Sequence, residues 1–327
     1  MKKTLYFFSM FTLLSGMLSA QVTDAEKALR SQTSADSVYG WKFSGLLSLN
    51  AANTFLVHWS AGGENSIGFE SNAMLFANLR KPKFVWENSL NAAYGTMRQG
   101  DKTKDFMKTN DKLEFNSKYG QKAYKNFYYS ALVNFKTQMF DGRKYINDST
   151  YNIISRFFSP ATLLAAIGMD YNPNANFSLF VSPLSARFTY VKDQTLANAG
   201  AFGVTPAVID ATNGAIITPG GHHFNEYGGY IRLMFKKSEW KYEILKNIMF
   251  VTKLDLFTNY AHKPQNVKVN WENQILFNVN KYLTFIFNNQ YIYDDTVKII
   301  DQDGNGTADV STGQYKQITS IGISYKF

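Results

Sequence analysis

The chain contains no cysteine, so it can form neither a disulfide bond nor a thiolate metal site. It also lacks long apolar runs. Beyond the first twenty residues, no segment is continuously apolar over the roughly 18 residues that a membrane-spanning helix requires. These two absences exclude a disulfide-stapled domain and a helical membrane protein.

The charge balance is basic, with 34 Lys and Arg against 25 Asp and Glu and a net charge of +9. A basic balance can indicate a nucleic-acid partner. Here the lysines are scattered singly and form no patch that would follow a phosphate backbone. We therefore expect no nucleic-acid partner.

The first twenty residues have the pattern of a secretory signal peptide. Lys2 and Lys3 form a basic start, an apolar stretch follows from Leu5 to Leu18, and small residues precede Gln21. This pattern predicts a signal peptide over residues 1–20 and Sec-type export. Because residue 21 is not cysteine, a lipid-anchored mature N-terminus is excluded. Residues 21–39 are polar and are predicted to be a short periplasmic tail.

From residue 40 onward, apolar and polar residues alternate with a period of two, which is typical of strands with one apolar and one polar face. The predicted strands lie near residues 41–55, 66–79, 84–97, 111–120, 126–138, 161–171, 177–191, 224–236, 247–261, 267–279, 282–296 and 314–327. Most span about 10–14 residues, whereas ordinary strands have about 5–6 and a tilted membrane-crossing strand needs about 9–11. The length and alternation favour membrane-crossing strands over a soluble sandwich.

The connections between these strands alternate in length. Short ones include 80–83 and 172–176, and long ones include 139–160 and 192–223; 237–246 is longer than the other short ones. Outer-membrane barrels combine short periplasmic turns with long outer loops. The chain is therefore predicted to be all-β: a transmembrane, antiparallel, up-and-down β-barrel of about twelve strands over residues 40–327, with both termini periplasmic.

The last predicted strand alternates apolar and polar residues and ends on the aromatic Phe327. This ending resembles the signal recognised by bacterial barrel-assembly machinery, which we therefore expect as a partner, together with outer-membrane lipid. An open sheet edge is not tolerated in hydrocarbon, so the last strand should pair with the first, near Trp41 to Phe43. Pro183 should mark a bulge in its strand. Aromatic residues near strand ends suit the girdles at the two membrane interfaces: Trp86, Tyr94, Tyr119, Tyr260, Trp271, Tyr291 and Tyr325.

Four segments carry a resemblance to a known family: His58 to Ser66, Trp86 to Asn88, Ser159 to Ala161, and Gly322 to Phe327. They resemble an uncharacterised outer-membrane family of the Bacteroidetes, domain of unknown function 3078. The resemblance extends from about Gly40 to the end of the chain, and its most distinctive element is the Trp-x-x-Gly-Gly-x-Asn motif. It implies a barrel in the outer membrane and provides no activity or catalytic residues.

The polar strand faces would line the lumen of such a barrel. They include Lys112 and Lys118 and the following charged residues: Glu70, Glu87, Glu114, Lys136, Arg187, Arg232, Lys253, Asp255, Lys268 and Glu272. Twelve strands enclose a narrower interior than the roughly 16–18 strands of an open porin. Two interpretations stay open: a selective path for a small polar or charged solute, and a salt-bridged core that holds the barrel rigid.

A loop near the end of the chain resembles a calcium-binding loop. Oxygen-bearing side chains stand at its positions one, three, five and nine (Asp301, Asp303, Asn305 and Asp309), with Gly306 at position six. Thr312 replaces the bidentate glutamate, and no helices flank the loop. Weak Ca²⁺ binding is one hypothesis, and a hairpin tip without metal is the alternative.

Catalytic signals are sparse. The pair His222 and His223 lies in a long loop, and neighbouring side chains on an extended chain point apart, so we expect no shared metal. His58 with Ser60 is the one local Ser/His combination, and no third triad member is identifiable. The protein is therefore predicted not to be an enzyme. A pore or solute-binding barrel ranks first, and a closed structural barrel that joins an envelope or export complex, with 21–39 as a docking segment, ranks second.

Overall fold

The structure is a computed structural model that describes residues 39–54, 64–100, 104–146, 150–174, 176–238, 240–280, 283–298 and 310–326. The predicted signal peptide, almost all of the predicted tail, His58 with Ser60, the predicted calcium loop 301–309 and the terminal Phe327 lie outside these residues. None of the described helices is both long and apolar enough to cross a bilayer.

Twelve long strands form one closed barrel. They are β1 (Gly40–Thr54), β2 (Ser66–Arg80), β3 (Phe84–Gln99), β4 (Met107–Tyr124), β5 (Phe127–Thr137), β8 (Ala161–Asn174), β9 (Phe177–Tyr190), β12 (His223–Lys237), β13 (Ile248–Asn259), β14 (Lys268–Asn278), β15 (Leu283–Tyr293) and β16 (Gln314–Lys326). Each pairs with its neighbours antiparallel, in the order β1-β16-β15-β14-β13-β12-β9-β8-β5-β4-β3-β2 and back to β1. The predicted fold class of an all-β, antiparallel, twelve-stranded barrel is confirmed.

Each barrel strand coincides with a predicted one to within a few residues. The largest difference is at β4, which extends beyond the predicted 111–120 at both ends. Residues Met107 and Lys108 still pair with β3, and Gln121 and Lys122 still pair with β5. The strand extends because its backbone continues to pair with β3 and β5, although apolar and polar residues no longer alternate regularly at its ends.

The connections form two different rims. The short-turn rim carries the connections 81–83, 125–126, 175–176, 238–247 and 279–282, together with Gly40 at the start of β1 and Lys326 at the end of β16. The long-loop rim carries the connections 55–65, 100–106, 138–160, 191–222, 260–267 and 294–313. The connections alternate in length as predicted apart from 238–247, which is longer than 100–106 and 260–267 on the opposite rim. Both described chain ends lie at the short-turn rim.

Two long loops contain structure of their own. The 138–160 loop holds a hairpin of β6 (Gly142–Tyr145) and β7 (Tyr151–Ser155). The 191–222 loop holds helix α1 (Gln194–Asn198) and a small pair of strands, β10 (Val208–Ile209) and β11 (Ile216–Thr218). Asp193 caps α1, because its carboxylate accepts a hydrogen bond from the Leu196 amide. The sequence pattern did not predict these short elements.

The barrel is apolar outside and polar inside. Outward side chains such as Leu49, Leu184 and Ile167 are 71%, 68% and 62% exposed, whereas the inward carboxylates of Glu114 and Asp170 belong to residues only 4% and 2% exposed. Such an extended apolar surface is unfavourable in water, and a closed barrel leaves no sheet edge to satisfy. The outer face therefore fits the hydrocarbon of a bilayer.

The predicted bulge at Pro183 is present. The register of β9 shifts there against both neighbours, between Ile167 and Met169 on β8 and between Gly228 and Tyr230 on β12. Because proline has no amide N–H to donate, hydrogen bonds of the strand ladder are missing at this point, and serine hydroxyls donate to the backbone carbonyl oxygens instead. Ser182 donates a hydrogen bond to the Ile167 carbonyl oxygen at 2.7 Å.

The closing seam lies elsewhere than predicted. β16 pairs with β1 over Leu46–Ala51, whereas Trp41 to Phe43 pair with β2 alone. The expectation of pairing near Trp41 was wrong because it ignored stagger. Strands tilt in a barrel, so the closing register is displaced along the first strand.

Candidate functional site in the barrel lumen

Charged side chains meet at mid-height in the lumen, where they form what we call the central cluster. Its members are Lys112, Glu114, Lys136, Arg232, Lys253, Asp255 and Glu272. They come from β4, β5, β12, β13 and β14, and alternation places each of them on the inward face of its strand. The cluster therefore joins walls of the barrel that are remote in sequence.

One ion pair crosses the full width of the lumen. The Nζ atom of Lys112 on β4 lies 3.3 Å from Oε2 of Glu272 on β14, and these strands stand six positions apart in the ring of twelve. The same Nζ atom lies 2.6 Å from Oε2 of Glu114 on its own strand. Lys253 on β13 reaches both carboxylates, at 3.5 Å from Glu114 and 3.1 Å from Glu272. These contacts constrict the lumen at this height.

A second part of the cluster is centred on Asp255. Arg232 Nε donates to Asp255 Oδ1 at 2.6 Å, and the Tyr230 hydroxyl donates to the same oxygen at 2.6 Å. Arg232 also donates to the side-chain oxygen of Asn116 on β4 at 3.2 Å. A buried charge pair with several hydrogen bonds is held in one geometry, so this part of the wall is preorganised.

An apolar group fills the lumen beside the central cluster. It consists of Leu132, Leu164, Ala166, Phe180, Tyr230 and Phe257, all buried. These side chains come from β5, β8, β9, β12 and β13, so the apolar group shares β5, β12 and β13 with the central cluster and lies next to it on the lumen wall. The waist of the barrel is therefore closed partly by packing and partly by ion pairs.

A second charged group lies towards the long-loop rim. Arg187 contacts Glu226 at 3.2 Å and Asp294 at 2.9 Å, and Lys268 contacts the same two carboxylates at 2.7 Å and 2.9 Å. Asp294 follows β15 directly. Burial disfavours the charged form of Asp294, but Arg187 and Lys268 outweigh that penalty and hold the pKa of its carboxyl well below its usual value. The Asp294 carboxyl is therefore ionised at neutral pH.

A third charged group lies towards the short-turn rim. Lys118 Nζ is 2.7 Å from Asp170 Oδ2 and 3.2 Å from Glu87 Oε2. Asn172 and Ser178 also donate hydrogen bonds to Asp170. The Asp170 carboxylate thus has a full set of partners, as a buried charge requires.

A cavity of about 430 Å³ occupies the lumen between the central cluster and the short-turn rim. Arg232 and Lys253 line the cavity at the end next to the central cluster, and residues such as Asn126 and Asn174 line it at the end next to the short-turn rim. We call it the turn-side cavity. It can admit a small molecule from the short-turn rim, and the central cluster blocks its far end.

The structure places all ten charged residues that the sequence singled out on the inward face of the barrel, but in different groups. Six belong to the central cluster (Glu114, Lys136, Arg232, Lys253, Asp255 and Glu272), Arg187 and Lys268 to the long-loop group, and Glu87 to the short-turn group. Glu70 stands apart and accepts a hydrogen bond from Asn110 at 2.8 Å.

Sequence reasoning missed Asp170, Glu226 and Asp294 as lumen residues. Asp170 lies on the inward face of β8, after Leu164 and Ala166. Because those two inward residues are apolar, as the outward ones are, the alternation of apolar and polar residues does not identify the inward face of this strand. Leu164 and Ala166 are apolar because they pack against side chains of other strands in the lumen, and the sequence of a single strand does not show such contacts.

No candidate metal site is found in the part of the chain that the structure describes: no three His, Asp or Glu side chains there are placed to hold an ion. The calcium hypothesis concerns Asp301, Asp303, Asn305 and Asp309, which lie outside that part. His222 uses both ring nitrogens in hydrogen-bond contacts, at 2.6 Å from the Val191 carbonyl and 3.0 Å from Gln194. These contacts agree with a role of His222 in loop structure.

Comparison with known proteins finds one family match and several similar structures. A family described as Protein of unknown function (DUF3078) matches residues 51–142. No curated protein matches. Similar solved structures include the translocator domain of the autotransporter NalP from Neisseria meningitidis (10% identity, 92% of this chain and 93% of that chain, TM-score 0.37), an outer membrane channel from Pseudomonas putida F1 (6%, 89% and 97%, 0.39) and the NanC porin (8%, 87% and 100%, 0.36).

The family match covers the region from the end of β1 to the start of β6, a smaller part of the chain than the resemblance predicted from the sequence. The likenesses to solved structures are too distant to support a functional argument. Function is therefore argued below from the geometry of this barrel. By sequence, residues 51–142 match the family of unknown function DUF3078.

Proposed function

We propose that this protein is an outer-membrane barrel that binds or passes a small polar or charged solute through its lumen. A closed twelve-stranded barrel with an apolar outer face and a charged inner face has the architecture of a pore-like outer-membrane protein. The observation that carries the proposal is the charged lumen. Positively and negatively charged side chains line it from Asp294 near the long-loop rim to Lys236 near the short-turn rim. Ionisable groups inside a membrane protein commonly mark a solute path.

The central cluster is the gate in this proposal. It closes the waist by contacts between side chains from opposite walls, above all the one between Lys112 and Glu272. Opening these contacts requires movement of long side chains but no break in the hydrogen-bonded wall. A solute held in the turn-side cavity would reach the outer half of the lumen through this gate.

Single-channel recording in a planar lipid bilayer tests the gate. We expect small, discrete conductance steps for the unaltered protein. The variant Lys112→Ala removes one arm of the cross-lumen contact and should raise the step size at least two-fold. Glu272→Gln keeps the shape of the site but removes the negative charge, and it should also raise the step size.

The matched control is Lys144→Ala, which removes an exposed lysine from the β6–β7 hairpin and should leave the conductance unchanged. Folding of each variant is checked by heat-modifiable migration in electrophoresis. Folded barrels that are silent in both the unaltered and the Lys112→Ala forms would refute the pore.

A closed structural barrel is the second candidate, and one observation favours it. The apolar group around Phe180 and the central cluster together fill the waist, as a core that stiffens the barrel would. In that case, the predicted tail 21–39 or the long loops would bind a partner. A folded, silent barrel that cross-links to one envelope protein through residues 21–39 would support this candidate.

The cellular setting is part of the proposal. We place the barrel in the bacterial outer membrane, reached by Sec-type export through residues 1–20, with lipid against its outward face. The final strand, ending at Phe327, is proposed to engage the barrel-assembly machinery, and its outward Ile321 and Ile323 are exposed as a lipid-facing strand requires. The Bacteroidetes origin and the absence of enzymatic activity stay predictions.

A further inference from the structure

More cationic than acidic side chains line the turn-side cavity. Five cationic and two acidic side chains line it: Arg80, Lys118, Arg232, Lys236 and Lys253 against Glu87 and Asp170. Arg232 and Lys253 are also ion-paired with Asp255, Glu114 and Glu272 of the central cluster, so the cavity and the cluster together carry seven cationic and five acidic side chains, an excess of two positive charges. The carboxylates of Glu87 and Asp170 already contact Lys118, at 3.2 Å and 2.7 Å. A negatively charged solute would be attracted to this space, and a cationic one repelled.

Two of the cations lie near the short-turn rim. Arg80 is the last residue of β2, and Lys236 is the second-to-last residue of β12. β2 and β12 are six positions apart in the ring of twelve strands, so the two residues belong to opposite walls of the barrel. Both line the turn-side cavity near the short-turn rim, where an anion entering from that side would meet them.

The cavity also has an apolar wall. Phe76 and Tyr128 line it, and Met234 is 41% exposed although it points inward, in register with the lumen residue Lys253. The buried side chains of Leu132 and Phe180 close the wall towards the waist. An exposed apolar surface inside a polar lumen is the kind of surface that a ligand covers.

From the charge, the two cations near the short-turn rim and the apolar wall together, we infer that the turn-side cavity binds a small organic anion, a molecule in which a carboxylate or phosphate is joined to an apolar group. This inference rests on the proposed function and names its solute class. A bare inorganic anion would leave the Met234 surface uncovered, and a neutral apolar molecule would gain nothing from Arg80 and Lys236. A volume of about 430 Å³ lies in the usual range for small-molecule sites, roughly 300–1,000 Å³.

Isothermal titration calorimetry on the full barrel in lipid nanodiscs tests the inference, with empty nanodiscs of the same lipid as reference. The probe is 3-phenylpropionate, and 3-phenylpropanol is the neutral molecule of nearly the same shape. We expect saturable binding of the acid, and binding of the alcohol at least ten-fold weaker. The double variant Arg80→Gln/Lys236→Gln should weaken binding of the acid at least ten-fold.

Two further variants separate charge from structure. Met234→Asp should abolish binding of the acid by placing a carboxylate on the apolar wall, and Lys144→Gln on the exposed β6–β7 hairpin should leave the affinity unchanged. Equal affinity for acid and alcohol, no saturable heat with the folded barrel, or undiminished binding by the Arg80→Gln/Lys236→Gln barrel would each overturn the inference.

Conductance recorded on the same preparations keeps the two proposals distinguishable. Channel activity without binding of 3-phenylpropionate refutes the organic-anion site and leaves the pore. Binding without any conductance, in the unaltered and Lys112→Ala forms, supports the site and refutes passage through the barrel, so that the protein would be a solute-binding barrel with a closed waist.

Discussion

At the scale of single residues, the lumen shows how ionised groups persist in a confined interior. Removing a charge from water is unfavourable by several kcal/mol, and only multiple partners offset this cost. One oxygen of Asp255 accepts hydrogen bonds from Arg232 and Tyr230. The Asp170 carboxylate accepts hydrogen bonds from Lys118, Asn172 and Ser178. Each of these two carboxylates is therefore held in place on the lumen wall by several partners.

The Arg232–Asp255 pair provides a test of this balance. We expect Arg232→Met to lower the free energy of unfolding by about 3 kcal/mol, because it leaves Asp255 buried without its closest cation. Urea unfolding in phospholipid vesicles, followed by tryptophan fluorescence, measures the change. The double variant Arg232→Met/Asp255→Leu should recover much of the loss, since no unpaired charge then stays buried.

The exposed pair Lys246–Glu243 offers the matched control. Its side chains are 61% and 86% exposed, so Lys246→Met should change stability by less than about 1 kcal/mol. A loss in Arg232→Met no larger than that in Lys246→Met would show that the buried pair contributes little.

At the scale of elements, the seam between β1 and β16 is the shortest pairing in the barrel. Six residue pairs join these strands among the described residues, whereas fifteen pairs join β1 to β2. The seam contains Gly322, which faces Asn50. A β-carbon at Gly322 would overlap the Asn50 side chain and the Leu49 carbonyl, so only glycine allows these backbones to pair this closely.

Gly322→Ala should therefore weaken the seam. The added methyl group forces the strands apart, and we expect a loss of about 1–3 kcal/mol in unfolding free energy, as for overpacked interiors. Gly68→Ala on β2 is the matched control, because the nearest heavy atoms to its β-carbon position are 3.5 Å away, in ordinary contact. Urea unfolding in vesicles compares the two, and an equal effect of both substitutions would contradict a special role for the seam.

At the scale of the whole molecule, the distribution of polarity is the reverse of that in a soluble protein. Water-soluble proteins bury apolar side chains and expose charges, whereas this barrel buries Glu114 and Asp170 and exposes Leu49 and Leu184. A bilayer removes that apolar surface from water, and the closed wall satisfies every strand edge. The same inversion leaves the charged lumen available for a solute.

The lipid-facing position of the outer wall is tested by a charge placed on it. Ile231 lies near the middle of β12 and points outward, and Ile231→Arg should cost about 2–4 kcal/mol of unfolding free energy in a bilayer. Ile217→Arg, the same change in the exposed β11 strand of a long loop, should alter stability by less than about 0.5 kcal/mol. Unfolding in vesicles of one lipid composition compares them, and equal effects would contradict a membrane at the level of Ile231.

Sequence patterns predicted the number, direction and approximate bounds of the barrel strands, the bulge at Pro183 and the inward position of ten charged residues, but not that of Asp170, Glu226 and Asp294. Each of these follows from local information: the period of two, the missing amide of proline and the length of a connection. The sequence did not determine that Lys112 and Glu272, 160 residues apart, meet across the lumen.

That contact, the register of the seam at Leu46–Ala51 and the turn-side cavity arise from the folded barrel and cannot be read from any one strand. The physical reason is closure. Tilt and stagger fix which residues on opposite walls share one height, and no single strand carries that information.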